Sequence, residues 1–286
     1  MDKMLYVGMN GASQLLQTQM AHTNNLANAS TPGFRADFQT TLSEAVQGGG
    51  LETRFHARSG GMSVNLESGP IQSTGNALDV AINGEDFFVV GTPEGGEAYS
   101  RRGDFRLTPE GLLSNGAGQP VLGNGGPGAI PPHQSLTIGE DGTVSIVPLG
   151  SGPETSVTVD RIRLVSLNPD LVEKRPDGLL QHRDGSEAED SNASRLMSGH
   201  LEGANVSGVE SMIQLMNVAR NYELQVKMMS TAREMATLGL VSGSSGNVSL
   251  KLGDHDSSDG IIAVTPFGMP CADLADDDIV VVNHDG

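Results

Sequence analysis

Seven histidines stand at positions 22, 56, 133, 182, 200, 255 and 284, and no two of them have the spacing of a helical or hairpin metal site. They read as surface or locally hydrogen-bonded residues. The single cysteine, Cys271, has no glycine-rich nucleophile turn around it and cannot form an internal disulfide. Asp276, Asp277 and Asp278 are consecutive, whereas calcium loops place ligands at alternating positions with a Gly for the bend, so they read as a solvated charge run. The glycines at 48–50 and 123–126 lack the Lys-Ser/Thr that follows a phosphate loop. No catalytic residue, metal site or cofactor is expected.

The elements that would carry any function are easier to read. From Met4 to Ala29 the apolar residues Leu5, Met9, Ala12, Leu16, Met20 and Leu26 fall mostly three and four apart, a narrow helical stripe like a coiled-coil seam. A helix of that length would span about 39 Å. Thr31-Pro32-Gly33 ends it, because Pro32 biases Thr31 away from helical dihedrals and Gly33 supplies a turn. A second stripe joins Val209, Met212, Met216, Ala219, Tyr222, Val226 and Met229, and Ser207 with Glu210 has the form of a capping box. Neither helix buries its stripe alone, so the two pair with each other, with neighbouring subunits, or both.

Between them lie short apolar runs with turn signals: Leu78 to Ile82, Phe87 to Val90, Ala98-Tyr99, a hairpin from Leu136 through Asp141-Gly142 to Val147, and Ile162 to Val165. Such a pattern predicts an irregular β-sandwich or partial barrel. The fold class is thus α+β, two long terminal helices forming a coiled-coil-like stem plus an all-β middle domain. The expected divisions are an N-terminal helix and exit segment (1–46), a linker (47–72), the middle domain (73–183), a linker and C-terminal helix (184–232) and a tail (233–286). The last 46 residues hold eight Asp and one Lys. Two apolar runs there, Ile261 to Val264 and Ile279 to Val282, predict strands. A formal net charge of −18 argues against nucleic acid or an anionic membrane as partner. No stretch has signal-peptide or membrane-spanning character.

The run Asn24-Asn25-Leu26-Ala27-Asn28-Ala29-Ser30-Thr31-Pro32-Gly33-Phe34 closely resembles the N-terminal signature of flagellar rod, hook and hook-associated proteins. Asn28 and Ser30 suit the freed backbone groups at a helix end, and Phe34 suits an anchor for the exiting chain. Ser73 to Ile82 and Ala98 to Gly103 resemble the family's central domain, and Met197 to Val206 its C-terminal signature, in the family's order. The middle-domain length, Gly95 to Tyr99 and Gly125-Gly126-Pro127 resemble proximal-rod members more than distal ones. The resemblance implies a non-enzymatic subunit of the bacterial flagellar basal body and its periplasm-spanning rod. Its partners would be other rod subunits, copies of itself and the flagellar type III export apparatus, which would take it without a cleaved signal. The terminal helices would form the inner tube and the β domain would face outward.

From about Arg233 the chain instead resembles the start of class II aldolases and related sugar-phosphate epimerases. In that family the positions matching Gly246-Asn247 and Phe267-Gly268 help hold the substrate phosphate. Phe267 stands here where the family has a hydroxyl residue. The metal-ligating histidines and the catalytic acid match positions beyond Gly286, so the resemblance implies an incomplete, inactive phosphate site at Gly246, Asn247 and Gly268.

Overall fold

The computed structural model describes residues 2–45, 55–152, 155–237, 249–252, 261–264 and 280–282. Gly246, Asn247, Phe267, Gly268, Cys271 and Asp276 to Asp278 lie outside the described residues. Two long helices, α1 (Asp2–Ala27) and α2 (Gly208–Thr237), flank a series of strands, an α+β arrangement. The chain divides into two compact units. One comprises Met20–Thr40 and Gly61–Leu215; the other comprises Met1–Gln19, Thr41–Gly60 and Met216–Gly286.

In the first unit the strands form open sheets. The largest has six strands in the order Val172–Lys174, Leu180–His182, Glu97–Ser100, Phe87–Gly91, Leu164–Ser166 and Glu189–Asp190. All of its pairings are antiparallel. Its strand Phe87–Gly91 is buried on both faces, which is why it reads as an unbroken apolar run. Phe88 and Val90 point into one core with Val80, Ile82, Phe105 and Ile146, where the Phe88 and Phe105 rings meet edge to face at 5.0 Å. Phe87 and Val89 point into a second core with Tyr99, Val165 and Leu180. One five-residue strand therefore joins two cores.

The expected hairpin is present, with Val144 opposite Ile138 and Ile146 opposite Leu136. Gly142 at its turn has φ 86°, a conformation glycine adopts without strain. The two motif strings that stand more than a hundred residues apart pair as strands. Arg195–Ser198 lies against Val80–Asn83, and His200–Glu202 against Ile71–Ser73.

Two segments expected as linkers contain pairing strands. Phe55–Val64 forms a two-stranded ribbon with Asp37–Ala45, and Glu189–Asp190 closes one edge of the large sheet. Backbone pairing needs no apolar alternation, so Gly60-Gly61 and the acidic 184–190 run hid these strands. In the tail, Ile261–Val264 and Val280–Val282 are strands as expected, and Ser249–Leu252 adds a third to an antiparallel sheet.

Candidate assembly interface

The end of α1 is built by its own asparagines. Asn28 Nδ2 donates to the Asn24 carbonyl at 3.0 Å and to its side-chain oxygen at 2.8 Å, capping the freed carbonyl end. Asn25 is buried and exchanges two bonds with the Asp37 backbone: Nδ2 donates to the carbonyl at 2.7 Å and Oδ1 accepts the amide at 2.8 Å. This side chain mimics a strand partner and folds the exiting chain back on the helix. Ser30 is exposed, so the helix end rests on Asn28 and Asn24.

Gly33 is fixed twice over. Its φ is 66°, and a Cβ there would stand 2.3 Å from the Arg101 carbonyl carbon. The close approach delivers Arg35 into the protein, where Nη2 donates to Glu202 Oε1 at 2.6 Å. Arg101 Nη1 donates to the other oxygen of Glu202 at 3.0 Å, and the Gly69 amide donates to Oε1 at 2.8 Å. Both guanidinium groups lie against the Phe87 ring, at 4.9 Å for Arg101 and 5.9 Å for Arg35. Burial lowers the Arg101 pKa from its ordinary value, and the Glu202 charge opposes that shift. A buried charge without partners is prohibitively costly; this one is held by a shared carboxylate and an aromatic face.

A second ion pair braces the same exit. Lys174 Nζ donates to Asp37 Oδ1 at 2.7 Å and to the Arg35 carbonyl at 2.6 Å, and it lies 4.0 Å from the Phe34 ring centroid. The Phe34 ring, half-buried, thus turns its face to the Lys174 ammonium. Asn205 completes the junction: Oδ1 accepts the Ala36 amide at 2.7 Å, and Nδ2 donates to the Asn65 and Glu67 carbonyls. The three motif strings therefore converge on one polar knot.

Arg35, Asp37, Lys174 and the role of Glu202 were not singled out by the sequence reading. Arg101 and Glu202 sit inside the family strings, and a charged residue held within such a signature is the signal that could have found them.

Both helices expose large apolar side chains as well as burying some. In one unit, Gly8 of α1 meets Met229 of α2 so closely that a Cβ on Gly8 would stand 3.0 Å from Met229 Cγ, and Gly11 faces Gln225. In the other, Gly208 faces Leu26 and Ala29. The stripe expected over Val209 to Met229 is in fact two. Tyr222 and Met229 lie on an inward face with Ser211, Leu215 and Val218, while Val209, Met212, Met216, Ala219 and Val226 are exposed. At 100° per residue, Val209, Met212, Ile213 and Met216 share one sector roughly opposite the Val218 side. On α1, Ala12 is buried and Met9 and Leu16 are exposed, as is Met20. A spacing of threes and fours fitted both faces, so periodicity alone merged them. Leu5 lies in α1. Leu26 is half-buried and Ala27 exposed, and Thr31 and Pro32 are half-buried.

Ser207 Oγ accepts the Glu210 amide at 3.3 Å, the cap expected from the sequence. Among the described residues no group of three or more His, Cys, Asp or Glu is placed to hold a metal, and no helix is long and apolar enough to cross a membrane.

Four family models match the chain. These are "Flagella basal body rod protein" over residues 5–35, "Flagellar hook protein FlgE/F/G D1 domain" over 81–146, "Flagellar basal body rod FlgEFG protein C-terminal" over 197–238, and "Class II Aldolase and Adducin N-terminal domain" over 226–286. The chain is similar to the flagellar basal-body rod protein FlgF of Salmonella typhimurium, with 36% identity over 240 residues, 82% of this chain and 95% of that protein. It is 35% identical to FlgF of Escherichia coli over 242 residues, 82% of this chain and 96% of the other. FlgF of Caulobacter vibrioides is 34% identical over 247 residues, with 82% and 96% covered. With the motif strings knotted together and relatives matched over nearly their whole length, the chain belongs to the family of flagellar basal-body rod proteins.

Proposed function

We propose that this chain is a structural subunit of the flagellar basal-body rod and that it assembles through apolar ridges on α1 and α2. The observation that carries this reading is the uncovered surface of Met9, Leu16, Met20, Val209, Met212, Ile213 and Met216. Full burial of a side chain of this kind contributes about 1.5–3 kcal/mol, so covering even part of the ridge offsets much of the cost of association. Methionine suits contacts that differ slightly from one neighbour to the next.

On this reading the partners are other rod subunits and copies of the chain itself. The two helices act as a stem (1–46 and 184–232), and the middle domain (73–183) follows the linker 47–72. The similarity to FlgF favours a proximal position in the periplasm-spanning rod. Export by the flagellar type III apparatus without a cleaved signal accompanies that role.

The chain has no catalytic role and uses no cofactor on this reading. The match over 226–286 favours a second reading for the tail alone, as a fragment of the class II aldolase type. Metal-dependent cleavage of a sugar phosphate by the purified chain would support it.

The principal test substitutes Met212→Asp and Met216→Asp together. Both side chains are exposed, so the thermal melting of the isolated chain should move little. Incorporation into rods in a strain lacking its own subunit should be lost. Rods that assemble normally with both aspartates present would sink the proposed ridge.

A further inference from the structure

Four Asn-Gly and three Asp-Gly pairs lie among the described residues. Glycine has no side chain to shield its amide nitrogen, so in each pair that nitrogen can reach the preceding side-chain carbonyl carbon unless the fold holds one of the two. Six of the pairs are held. Asp141 accepts the Thr143 amide and hydroxyl, Asp177 the Leu179 amide, and Asp184 the Ser186 amide and hydroxyl. The glycine amides that follow them donate to the Gly139, Arg175 and His182 carbonyls, each at 3.0 Å. Asn115 is 1% exposed, its Oδ1 accepts the Ala117 and Gln119 amides at 3.0 Å, and the Gly116 amide donates to Asp104 Oδ1 at 3.2 Å. Asn10 lies inside α1, where the Gly11 amide belongs to the helical ladder. Asn83 is exposed, but its backbone pairs opposite Arg195 and its glycine is clamped: the Gly84 carbonyl accepts Arg101 Nη2 at 2.5 Å, and a Cβ on Gly84 would stand 2.0 Å from Ser194 Oγ.

Asn124-Gly125 is held at neither residue's reacting group. The Gly126 amide donates to the Gly123 carbonyl at 3.1 Å and the Gly123 amide to the Gly126 carbonyl at 2.9 Å, so the pair forms the centre of a four-residue turn. Both residues are exposed. Neither the Asn124 carboxamide nor the Gly125 amide has a hydrogen-bond partner among the described residues, and a Cβ on Gly125 would meet nothing within 4 Å. The base of the turn is fixed, since the Asn124 amide donates to the Arg161 carbonyl at 3.1 Å and Gly123 bridges to Ile162. Its tip can therefore rotate toward ring closure without breaking a bond of the fold.

We propose that Asn124 is a deamidation site, closing on the Gly125 amide nitrogen without an enzyme and leaving an L-isoaspartyl residue, the substrate class of protein isoaspartyl methyltransferases. Hydroxide removes the Gly125 amide proton, and the nitrogen bonds to Asn124 Cγ. The carboxamide nitrogen leaves as ammonia with a proton taken from water. A second water opens the five-membered imide at either carbonyl, giving aspartate or isoaspartate at position 124. Both products add one negative charge, and isoaspartate also inserts a methylene into the backbone of the turn.

The test ages the folded full chain in mildly alkaline buffer and places each conversion by peptide fragmentation in the mass spectrometer. Position 124 should convert about tenfold or more faster than Asn10, Asn83 and Asn115, the ratio expected where the others must first break a hydrogen bond or two. In urea the four rates should converge, because the dipeptide is the same in each. Purified isoaspartyl methyltransferase with labelled S-adenosylmethionine should mark position 124 in the aged chain. Gly125→Ala should leave the melting temperature unchanged, since Gly125 has neither a positive φ nor a close neighbour, and should slow the conversion by shielding the nitrogen. Conversion at Asn124 no faster than at Asn83 or Asn115 in the folded chain, or a ratio that persists in urea, would overturn control by the fold. An unchanged rate in Gly125→Ala would overturn closure on that nitrogen, and conversion without methyl transfer would overturn the isoaspartyl product.

Discussion

The Glu202 carboxylate and the Arg35 guanidinium meet at 2.6 Å across 167 residues of chain, with both side chains at 2% exposure or less. Glu202 belongs to the segment that enters α2 and Arg35 to the segment that leaves α1, and Arg101 of the sheet shares the same carboxylate. Removing the shared partner strands two cations in a dry interior. Glu202→Ala is expected to destabilise the unit by about 3–5 kcal/mol, the cost of breaking a buried pair from one side. Urea unfolding measures it, and a loss under about 1 kcal/mol would mean that water reaches the cluster.

Gly33 and Gly75 share a left-handed backbone, φ 66° and 73°, but differ in surroundings. A Cβ at Gly33 meets the Arg101 backbone, whereas one at Gly75 meets nothing within 4 Å. Gly75→Ala should cost only the left-handed penalty of about 1–2 kcal/mol. Gly33→Ala should cost clearly more, because backbone cannot yield as a side chain does, and should displace Arg35 from Glu202. Equal melting temperatures for the two variants would show that the exit segment shifts without penalty.

How much of this was legible follows from range. The helix stop at Thr31-Pro32-Gly33, the Ser207 cap and the 136–147 hairpin are local devices, and each is where its residues place it. The division of the α2 residues between an inward and an outward face is not local, since Tyr222 and Val226 differ only in what lies opposite them. The Arg35–Glu202–Arg101 cluster was least legible. Which charge meets which depends on the whole topology, and isolated charged residues ordinarily denote surface.

Tyr99 sets an alkaline limit. Burial raises its pKa above the ordinary 10.0, against the opposing effect of the Ala188 amide, which donates to the phenol oxygen at 2.8 Å. Because the folded chain holds this proton more tightly than the unfolded one, the Tyr99 contribution to stability is constant below about 10 and falls as pH rises beyond it. Tyr99→Phe should remove that share of the alkaline loss. It should also cost about 1–3 kcal/mol at neutral pH, since the Ala188 N–H loses its buried acceptor. Urea midpoints from pH 7 to 11 for both chains test the pair of claims, and an unchanged alkaline slope in the variant would refute the assignment.

The segment after α2 separates the two family resemblances by experiment. The FlgF relatives cover 82% of the chain, whereas the class II aldolase match begins at 226, within α2, and runs to 286. Both cores of the middle unit draw their residues from before Leu215, so ending the chain after Ala232 should leave their unfolding unchanged. Assembly is a different matter. If α2 packs toward the central channel, an acidic extension carrying eight Asp in its last 46 residues crowds that channel with like charge repeated on every copy. Complementation of a motility-deficient strain should therefore succeed better with the chain ending at Ala232 than with the whole chain. Full motility with the extension in place would mean that the end of α2 projects away from the channel, and would redirect the assembly ridge to its other side.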